Sequence, residues 1–396
     1  MKIGIDIRAL IKGRRTGVEE YIINLLNHLI PLDESIKYVL FYNGLTKAKI
    51  DFDFLKYPNV KVKEMNIPNK ILDLLIRVFN FPKIDKILGK IDVFFSPHFI
   101  LAPVSKKVKK VLVFYDLGFI RFPEFFSFKK LAWHISVGPK KQAQKADKII
   151  AISESTKNDL IDLFKIDKDK IKVIYPGISD KFKKIKSNIA EKYNLPDKFI
   201  LYLATIEPRK NVLGLIKAFE KLKRGDLIEE YDINWKGFEG MVKTKKSFDF
   251  SEYKLVIAGS KGWLYKEIFD YIENSKFKDQ IVFTDFIQEN DKEYLYNLAE
   301  IFVYPSFFEG FGLPPLEAMA CSVPVIVSNR SSLPEVVGDC AIMIDPNNSN
   351  EIAFAIESVL KYKELKDYLI NKGIERVKDF KWDKKAREVL KVLIEK

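Results

Sequence analysis

Short apolar runs alternate with longer segments in which apolar residues recur every three or four positions, and the alternation continues through both halves of the chain. Such runs read as buried strands of parallel sheets, and the periodic segments between them as crossover helices. In the first half the pattern predicts strands at 2–7, 93–98, 111–114, 149–152 and 171–174. The helix after the first strand runs to about residue 30, with Tyr21, Leu25, Leu26 and Leu29 inward. In the second half it predicts strands at 199–204, 254–259, 281–283, 301–304, 323–328 and 341–345, with helices at 352–361, 366–379 and 384–395 closing the chain. Tyr175-Pro176-Gly177-Ile178 breaks the pattern and a Lys-rich polar stretch follows, which suits a linker. The expected fold class is therefore α/β, with Rossmann-like domains at 1–180 and 181–379 and a last helical segment at 380–396.

Two stretches depart from this rhythm. Residues 225–252 interrupt the short connection expected between a helix and a strand, and they carry Trp235, Phe238, Phe248 and Phe250, as a segment that packs would. Residues 69–90 form two very apolar amphipathic pieces split at Pro82, with Lys83, Lys86 and Lys90 on one face. Packing against the core is favoured there over contact with a membrane.

Composition narrows the class. The chain has 396 residues, 47% hydrophobic and 31% charged, which is globular rather than disordered. No apolar run is long enough to span a bilayer. The N-terminus enters a strand directly, so no signal peptide is expected. Cys321 and Cys340 lack metal-ligand spacing and fit a reducing, cytoplasmic compartment. The net charge of +13 is unevenly placed: residues 1–184 hold 35 Lys and Arg against 20 Asp and Glu, or +15, and the remainder sums to −2. That asymmetry favours an anionic partner for the first half, such as an acidic membrane face.

The chemistry concentrates between Tyr304 and Cys321. The strand at 301–304 leads into Pro305-Ser306-Phe307-Phe308-Glu309-Gly310-Phe311-Gly312-Leu313, and Pro314 and Pro315 suit the first turn of a helix. A strand–loop–helix of this kind presents free N–H groups, here those of Gly312, Leu313 and Leu316, at the positive end of a helix. Two carboxylates flank the point, Glu309 and Glu317, and an ionised carboxylate accepts from hydroxyls. Phosphate in the middle with polyol on either side is the shape of a sugar nucleotide. Taken singly, Glu317 could merely complement the helix and Glu309 could be a solvated loop residue; the whole string favours a site. A second strand–helix turn carries Arg209 and Lys210 after Glu207-Pro208, a planar fork beside a point charge, as phosphate recognition requires. Gly259 ends its strand where an open sheet borders its ligand crevice.

This constellation resembles the retaining glycosyltransferases of family 4, which have the GT-B fold. The likeness continues through Val323-Pro324-Val325-Ile326-Val327-Ser328 and Leu333-Pro334-Glu335-Val336 and covers nearly the whole chain. It implies that Glu309 contacts the transferred sugar, that Glu317 holds the ribose, and that Arg209 and Lys210 bind the donor diphosphate. It also places Gly310, Phe311, Gly312, Leu313 and Gly259 around the donor, which is a substrate, so that no separate cofactor is expected. The stretch Arg121-Phe122-Pro123-Glu124-Phe125-Phe126 resembles a subgroup containing mannosyltransferases of polysaccharide assembly. There a His-Asp pair commonly ends the preceding strand, with the histidine near the donor sugar; here Tyr115-Asp116 stands in its place. A phenol can hydrogen-bond a hydroxyl but does not become cationic near neutral pH. Asp116 is equally well read as a turn cap or as a site residue. Gly13 and Gly17 loosely match the family's glycine-containing loop after the first strand. Cys321-Ser322 departs from the small-residue–glycine pair common in the family, beyond the site. The ending around Phe380, Trp382 and 386–390 resembles the last helix of GT-B proteins, which crosses back to the first domain. The implied partners are a nucleotide-diphosphate sugar and a glycan or lipid-linked acceptor, at an anionic membrane surface.

Other classes fit less of the chain. Asp51-Phe52-Asp53 offers the Asp-x-Asp of metal-dependent transferases of the other common fold, but it lies between the second and third strands among solvated residues. A basic adaptor for nucleic acid would show a module of interleaved aromatic and basic residues, and none is visible, so no nucleic-acid partner is expected. A sugar-nucleotide epimerase shares the fold and would release nucleotide without acceptor transfer.

Overall fold

The structure, a computed structural model, describes residues 1–11, 17–44, 51–186, 189–226 and 248–395. Gly13, Trp235 and Phe238 lie outside the described residues, as does most of the expected insertion at 225–252.

The chain forms two compact units. The first comprises Met1–Leu117, Leu131–Gly177 and Phe380–Lys396; the second comprises Gly118–Lys130 and Ile178–Asp379. Residues 118–130 leave the first unit after Leu117, pack in the second, and the chain returns at Leu131.

In the first unit seven parallel strands are ordered β3-β2-β1-β4-β5-β6-β7. They are β1 (Lys2–Asp6), β2 (Lys37–Asn43), β3 (Val60–Met65), β4 (Val93–Ser96), β5 (Lys109–Phe114), β6 (Lys148–Ala151) and β7 (Ile171–Val173). In the second unit six parallel strands run β10-β9-β8-β11-β12-β13. These are β8 (Phe199–Leu203), β9 (Lys254–Ala258), β10 (Ile281–Phe283), β11 (Ile301–Tyr304), β12 (Val325–Ser328) and β13 (Ile342–Ile344). Every residue of β4, β8, β11 and β12 is buried, as expected of strands covered by helices on both faces. The strand order reverses between β1 and β4 in the first sheet and between β8 and β11 in the second. At such a switch point neighbouring loops leave in opposite directions and open a crevice at the strands' carboxyl ends.

The helices pin each sheet. In the first unit the helix Gly17–Leu29 buries Tyr21, Leu25, Leu26 and Leu29, the expected inward set. The last helix, Trp382–Ile394, packs in the same unit: Trp382 lies 5.5 Å from Tyr21 and stacks on His28, and Lys109 Nζ donates to the Val392 carbonyl at 2.7 Å. In the second unit Phe248 and Phe250, at the end of the expected insertion, pack with Tyr253, Phe250 edge to face on both and buried.

The region 69–90 divides near Pro82 as expected, but packing on the core explains only part of it. Leu72, Ile84 and Leu88 are buried, whereas Ile71, Leu74, Phe79 and Phe81 are each more than half exposed. The helix Ile84–Leu88 ends at Gly89, so of the three lysines only Lys86 lies on it.

Candidate active site

The second unit's switch point gathers the charged residues singled out in the sequence. The loop after β8 turns through Pro208–Lys210, and the loop after β11 carries Glu309. Lys210 Nζ lies 2.6 Å from Glu309 Oε1 and donates to the Tyr304 hydroxyl at 2.7 Å. Arg209 Nη1 reaches Glu309 Oε2 at 3.3 Å and the Phe308 carbonyl at 2.7 Å. The Phe307 N–H closes the bracket by donating to the Arg209 carbonyl at 2.9 Å. Two cations and a carboxylate from loops about a hundred residues apart are thus held in one network.

Burial sets the electrostatics. Burial pushes the Glu309 carboxyl up, but Lys210 and Arg209 more than reverse this and hold it below its ordinary range. Burial pulls the Lys210 ammonium down, with Glu309 opposing. The sequence reading missed Glu207, which is almost fully buried. Its Oε1 accepts from Arg209 Nε at 3.0 Å and lies 2.8 Å from Nη2, which fixes the plane of the guanidinium. Burial raises the Glu207 carboxyl, against the pull of Arg209. The sequence signal was the pair spaced two residues apart, which in a surface loop reads as solvated.

The loop from Glu309 to Leu313 is fastened by two serines that sequence reasoning also missed. Ser331 Oγ accepts from the Glu309 N–H at 2.8 Å, and Ser332 Oγ donates to the carbonyls of Glu309 and Phe311 at 3.0 and 2.8 Å. Gly312 has φ 103°, and a Cβ there would meet the Leu333 side chain at 2.6 Å, so glycine is required on both counts. The helix Leu313–Ala320 begins directly after it, with Pro314 and Pro315 in its first turn as the sequence suggested. Phe311 is buried, while Gly310 and Leu313 keep partial exposure. Glu317 is buried one turn into the helix and accepts from the Tyr296 hydroxyl at 2.8 Å. Burial raises its carboxyl, with Lys292 opposing. One Glu317 oxygen is thereby oriented by a buried phenol. Gly259 directly follows β9 with φ 139°, and a Cβ there would lie 2.0 Å from the Ala204 carbonyl oxygen.

The remaining sequence candidates, Tyr115, Asp116 and Gly17, belong to the first unit. Tyr115 donates its hydroxyl to the Pro97 carbonyl at 2.7 Å and packs edge-on against Tyr21, so its one proton is committed. Burial raises its phenol well above the ordinary value. Asp116 is half-buried just past β5. Gly17 opens the helix Gly17–Leu29 with open space where a Cβ would stand. Among the described residues no group of three or more His, Cys, Asp or Glu is clustered as a metal ion would need, and Asp51 and Asp53 are exposed.

Comparison with known proteins agrees with this geometry. Residues 183–376 match the family described as Glycosyl transferases group 1, and residues 15–182 match Glycosyltransferase Family 4. The chain is 30% identical over 298 residues to the O-antigen chain mannosyltransferase B of Escherichia coli, covering 74% of this chain and 71% of the relative. It is 32% identical over 281 residues to the serotype-specific mannosyltransferase WbdA of Escherichia coli, of which it spans 30%. Among solved structures, Anabaena HepE in complex with UDP and glucose superposes with a TM-score of 0.71 at 17% identity, over all of both chains, which shows the fold. The two parallel sheets, the site residues at the second switch point and these matches together place the chain in glycosyltransferase family 4, with the GT-B fold.

Proposed function

We propose that the chain transfers a hexose from a nucleotide-diphosphate sugar to an acceptor hydroxyl, with retention of anomeric configuration, in the synthesis of a cell-surface polysaccharide or glycolipid. The observation that carries this reading is the Arg209–Lys210–Glu309 network at a switch point beside a helix N-terminus. The donor diphosphate would compete with Glu309 for the two cations, leaving the Glu309 carboxylate toward the sugar hydroxyls and Glu317 toward the ribose. In the reaction the bond from the anomeric carbon to the diphosphate oxygen breaks and a bond to the acceptor oxygen forms on the same face. The acceptor proton passes to the departing phosphate, so no protein base is required. Negative charge grows on the diphosphate as the bond breaks, and Arg209, Lys210 and the N–H groups at Gly312 and Leu313 stabilise it in place. Mannose is the favoured sugar, because the two relatives above are named as mannosyltransferases, and a guanosine carrier is what the subgroup resemblance implies. The acceptor is a glycan or lipid-linked saccharide bound by the first unit, with Asp116 near it, and the reaction needs no divalent metal.

A thermal-shift screen against GDP, UDP and their hexose conjugates tests the reading, since a ligand that binds only the folded state raises its melting temperature. A shift with at least one of them, followed by nucleotide release that depends on acceptor and survives chelation of divalent metals, supports it. No shift with any of them refutes it, and nucleotide release without transfer would favour the epimerase.

A second reading concerns the first unit's surface, and the exposure of Ile71, Leu74, Phe79 and Phe81 favours it. With the exposed Lys86 and Lys90 nearby in sequence, these residues suit peripheral docking on the anionic cytoplasmic face of a membrane. No helix among the described residues is long and apolar enough to cross one. Each lysine near acidic head groups contributes about 1 kcal/mol, and the apolar side chains add a salt-insensitive term. Co-sedimentation with anionic vesicles at low salt, partly kept at high salt, is the expected result; no binding at low salt refutes it.

A further inference from the structure

Residues 118–130 leave the first unit, pack into the second, and return. Nothing in the proposed chemistry uses them, and their contacts converge on the loops that hold the charged network. The segment is compact: Phe122 N–H donates to the Gly118 carbonyl, and Phe125 and Phe126 N–H donate to the carbonyls of Phe122 and Pro123. Three aromatic rings project from it. Phe122 meets Phe308 at 5.5 Å between ring centroids, Phe125 stacks on Phe307 at 5.5 Å, and Phe126 stacks on Trp263 at 6.0 Å. Trp263 Nε1 donates to the Phe125 carbonyl at 2.5 Å, and Lys130 Nζ lies 3.1 Å from the centre of the Trp263 ring.

The two loops braced in this way carry the site. Phe307 and Phe308 directly precede Glu309, and the Phe308 carbonyl holds Arg209. Trp263 belongs to the loop after β9, which is stitched to the loop after β8: Ile206 N–H donates to the Ser260 carbonyl at 2.9 Å and Gly262 N–H to the Ile206 carbonyl at 3.0 Å. Ile206 immediately precedes Glu207, which orients Arg209.

We infer that residues 118–130 are a strap that positions the donor-diphosphate loops, with Phe125 and Trp263 as positioning residues for Arg209 and Glu309. The inference rests on the proposal that this network receives the donor diphosphate. Aromatic stacking, the Trp263–Phe125 hydrogen bond and the Lys130 ammonium over the Trp263 ring hold the strap. Loss of the brace would let the Phe308 carbonyl and Glu207 drift from the Arg209 guanidinium. Displacement of about 1 Å at such a contact is enough to cost up to about 100-fold.

The test is a double-mutant cycle on the full chain, reading affinity for GDP and for UDP by calorimetry alongside the melting temperature. Trp263→Ala is expected to weaken the better-binding nucleotide about tenfold, and Trp263→Phe, which keeps an aromatic ring but loses the N–H and part of the stacking area, by less. Arg209→Ala is expected to weaken it further, and adding Trp263→Ala to Arg209→Ala is expected to cost under about twofold more, because the strap acts through that arginine. Phe125→Ala checks the same coupling where Trp263→Ala fails to fold. If Trp263→Ala and Phe125→Ala keep wild-type affinity while Arg209→Ala loses it, or if the losses are additive, the strap has no positioning role and the donor site stands. If Arg209→Ala also keeps wild-type affinity, the donor-site proposal fails and the strap's role falls with it.

Discussion

The two sheets share a strand order, and each carries a charge cluster at its switch point, but the clusters are built differently. In the first unit Asp6 ends β1, fully buried, and is met by Arg8 two residues later: Arg8 Nε lies 3.0 Å from both carboxylate oxygens and Nη2 2.6 Å from Oδ2. The Arg8 N–H also donates to Asp6 at 3.0 Å, and His98, just beyond β4, approaches at 3.5 Å. In the second unit the partners come from loops about a hundred residues apart, and a second carboxylate, Glu207, steadies one cation. The Asp6–Arg8 pair forms within three residues, and His98 reaches it from beyond β4. A network drawn from two loops exists only in the folded unit, and an anion placed between the loops can take over its cations. The first arrangement suits holding a strand end in place; the second suits binding.

The largest effect that would break this comparison is on stability. Arg8→Ala leaves the buried Asp6 carboxylate without its fork and is expected to cost about 3–5 kcal/mol of unfolding free energy in a denaturant titration. If it costs as little as a surface substitution and instead abolishes turnover, the first cluster is a site. Next, Arg209→Ala and Lys210→Ala are each expected to slow turnover about 10²-fold or more with a much smaller change in melting temperature. Unchanged kinetics in both would remove the distinction from the other side.

Within the second cluster the roles separate. Glu309→Ala is expected mainly to lower kcat, and Glu317→Ala mainly to raise the donor KM, since the first faces the reacting sugar and the second a remote ribose. Steady-state kinetics showing the reverse would exchange their assignments.

Acid sharpens the contrast further. Burial pushes the Asp6 carboxyl up, but Arg8 and His98 overcome this and hold it well below the ordinary carboxylate range. The folded chain therefore binds fewer protons there than the unfolded chain. This stability is fully present above about pH 4, the ordinary value, and is lost as the pH falls through the lower folded value. Asp6→Asn is expected to be less stable at neutral pH and to flatten the loss of stability on the acid side, as followed by melting temperature against pH. The smallest effect is at Tyr115: Tyr115→Phe leaves the Pro97 carbonyl unpaired and is expected to cost about 1–3 kcal/mol at most, without inactivation. Complete loss of turnover with nucleotide binding intact would give that phenol a chemical role.

How much of this was legible follows from where each signal resides. β11 has the bounds expected from its apolar run, because a strand buried on both faces must be continuously apolar. The string from Tyr304 to Cys321 was legible because loop, helix start and carboxylates are contiguous. The strap was not. Phe122, Phe125 and Phe126 have the i, i+3, i+4 spacing of a helical face, which says nothing of the distant loops they meet, and the hydrogen-bond partner of the Phe125 carbonyl lies 138 residues away. Glu207 was not singled out because its burial depends on loops from elsewhere in the sheet. The exposure of Phe79 and Phe81 was hidden for the opposite reason: the apolar periodicity there is genuine, but it is Leu72, Ile84 and Leu88 that find a core to enter, while Phe79 and Phe81 do not.

The central claim is that the second switch point, and not the first, receives the donor diphosphate. A crystal structure of the full chain with whichever of GDP or UDP gives the larger thermal shift tests it most directly. The account predicts the diphosphate within hydrogen-bond reach of Arg209 and Lys210 at the start of the helix Leu313–Ala320, with the ribose hydroxyls on Glu317. A nucleotide bound instead against Asp6, Arg8 and His98, or anywhere that leaves the Arg209–Lys210–Glu309 network untouched, would contradict it.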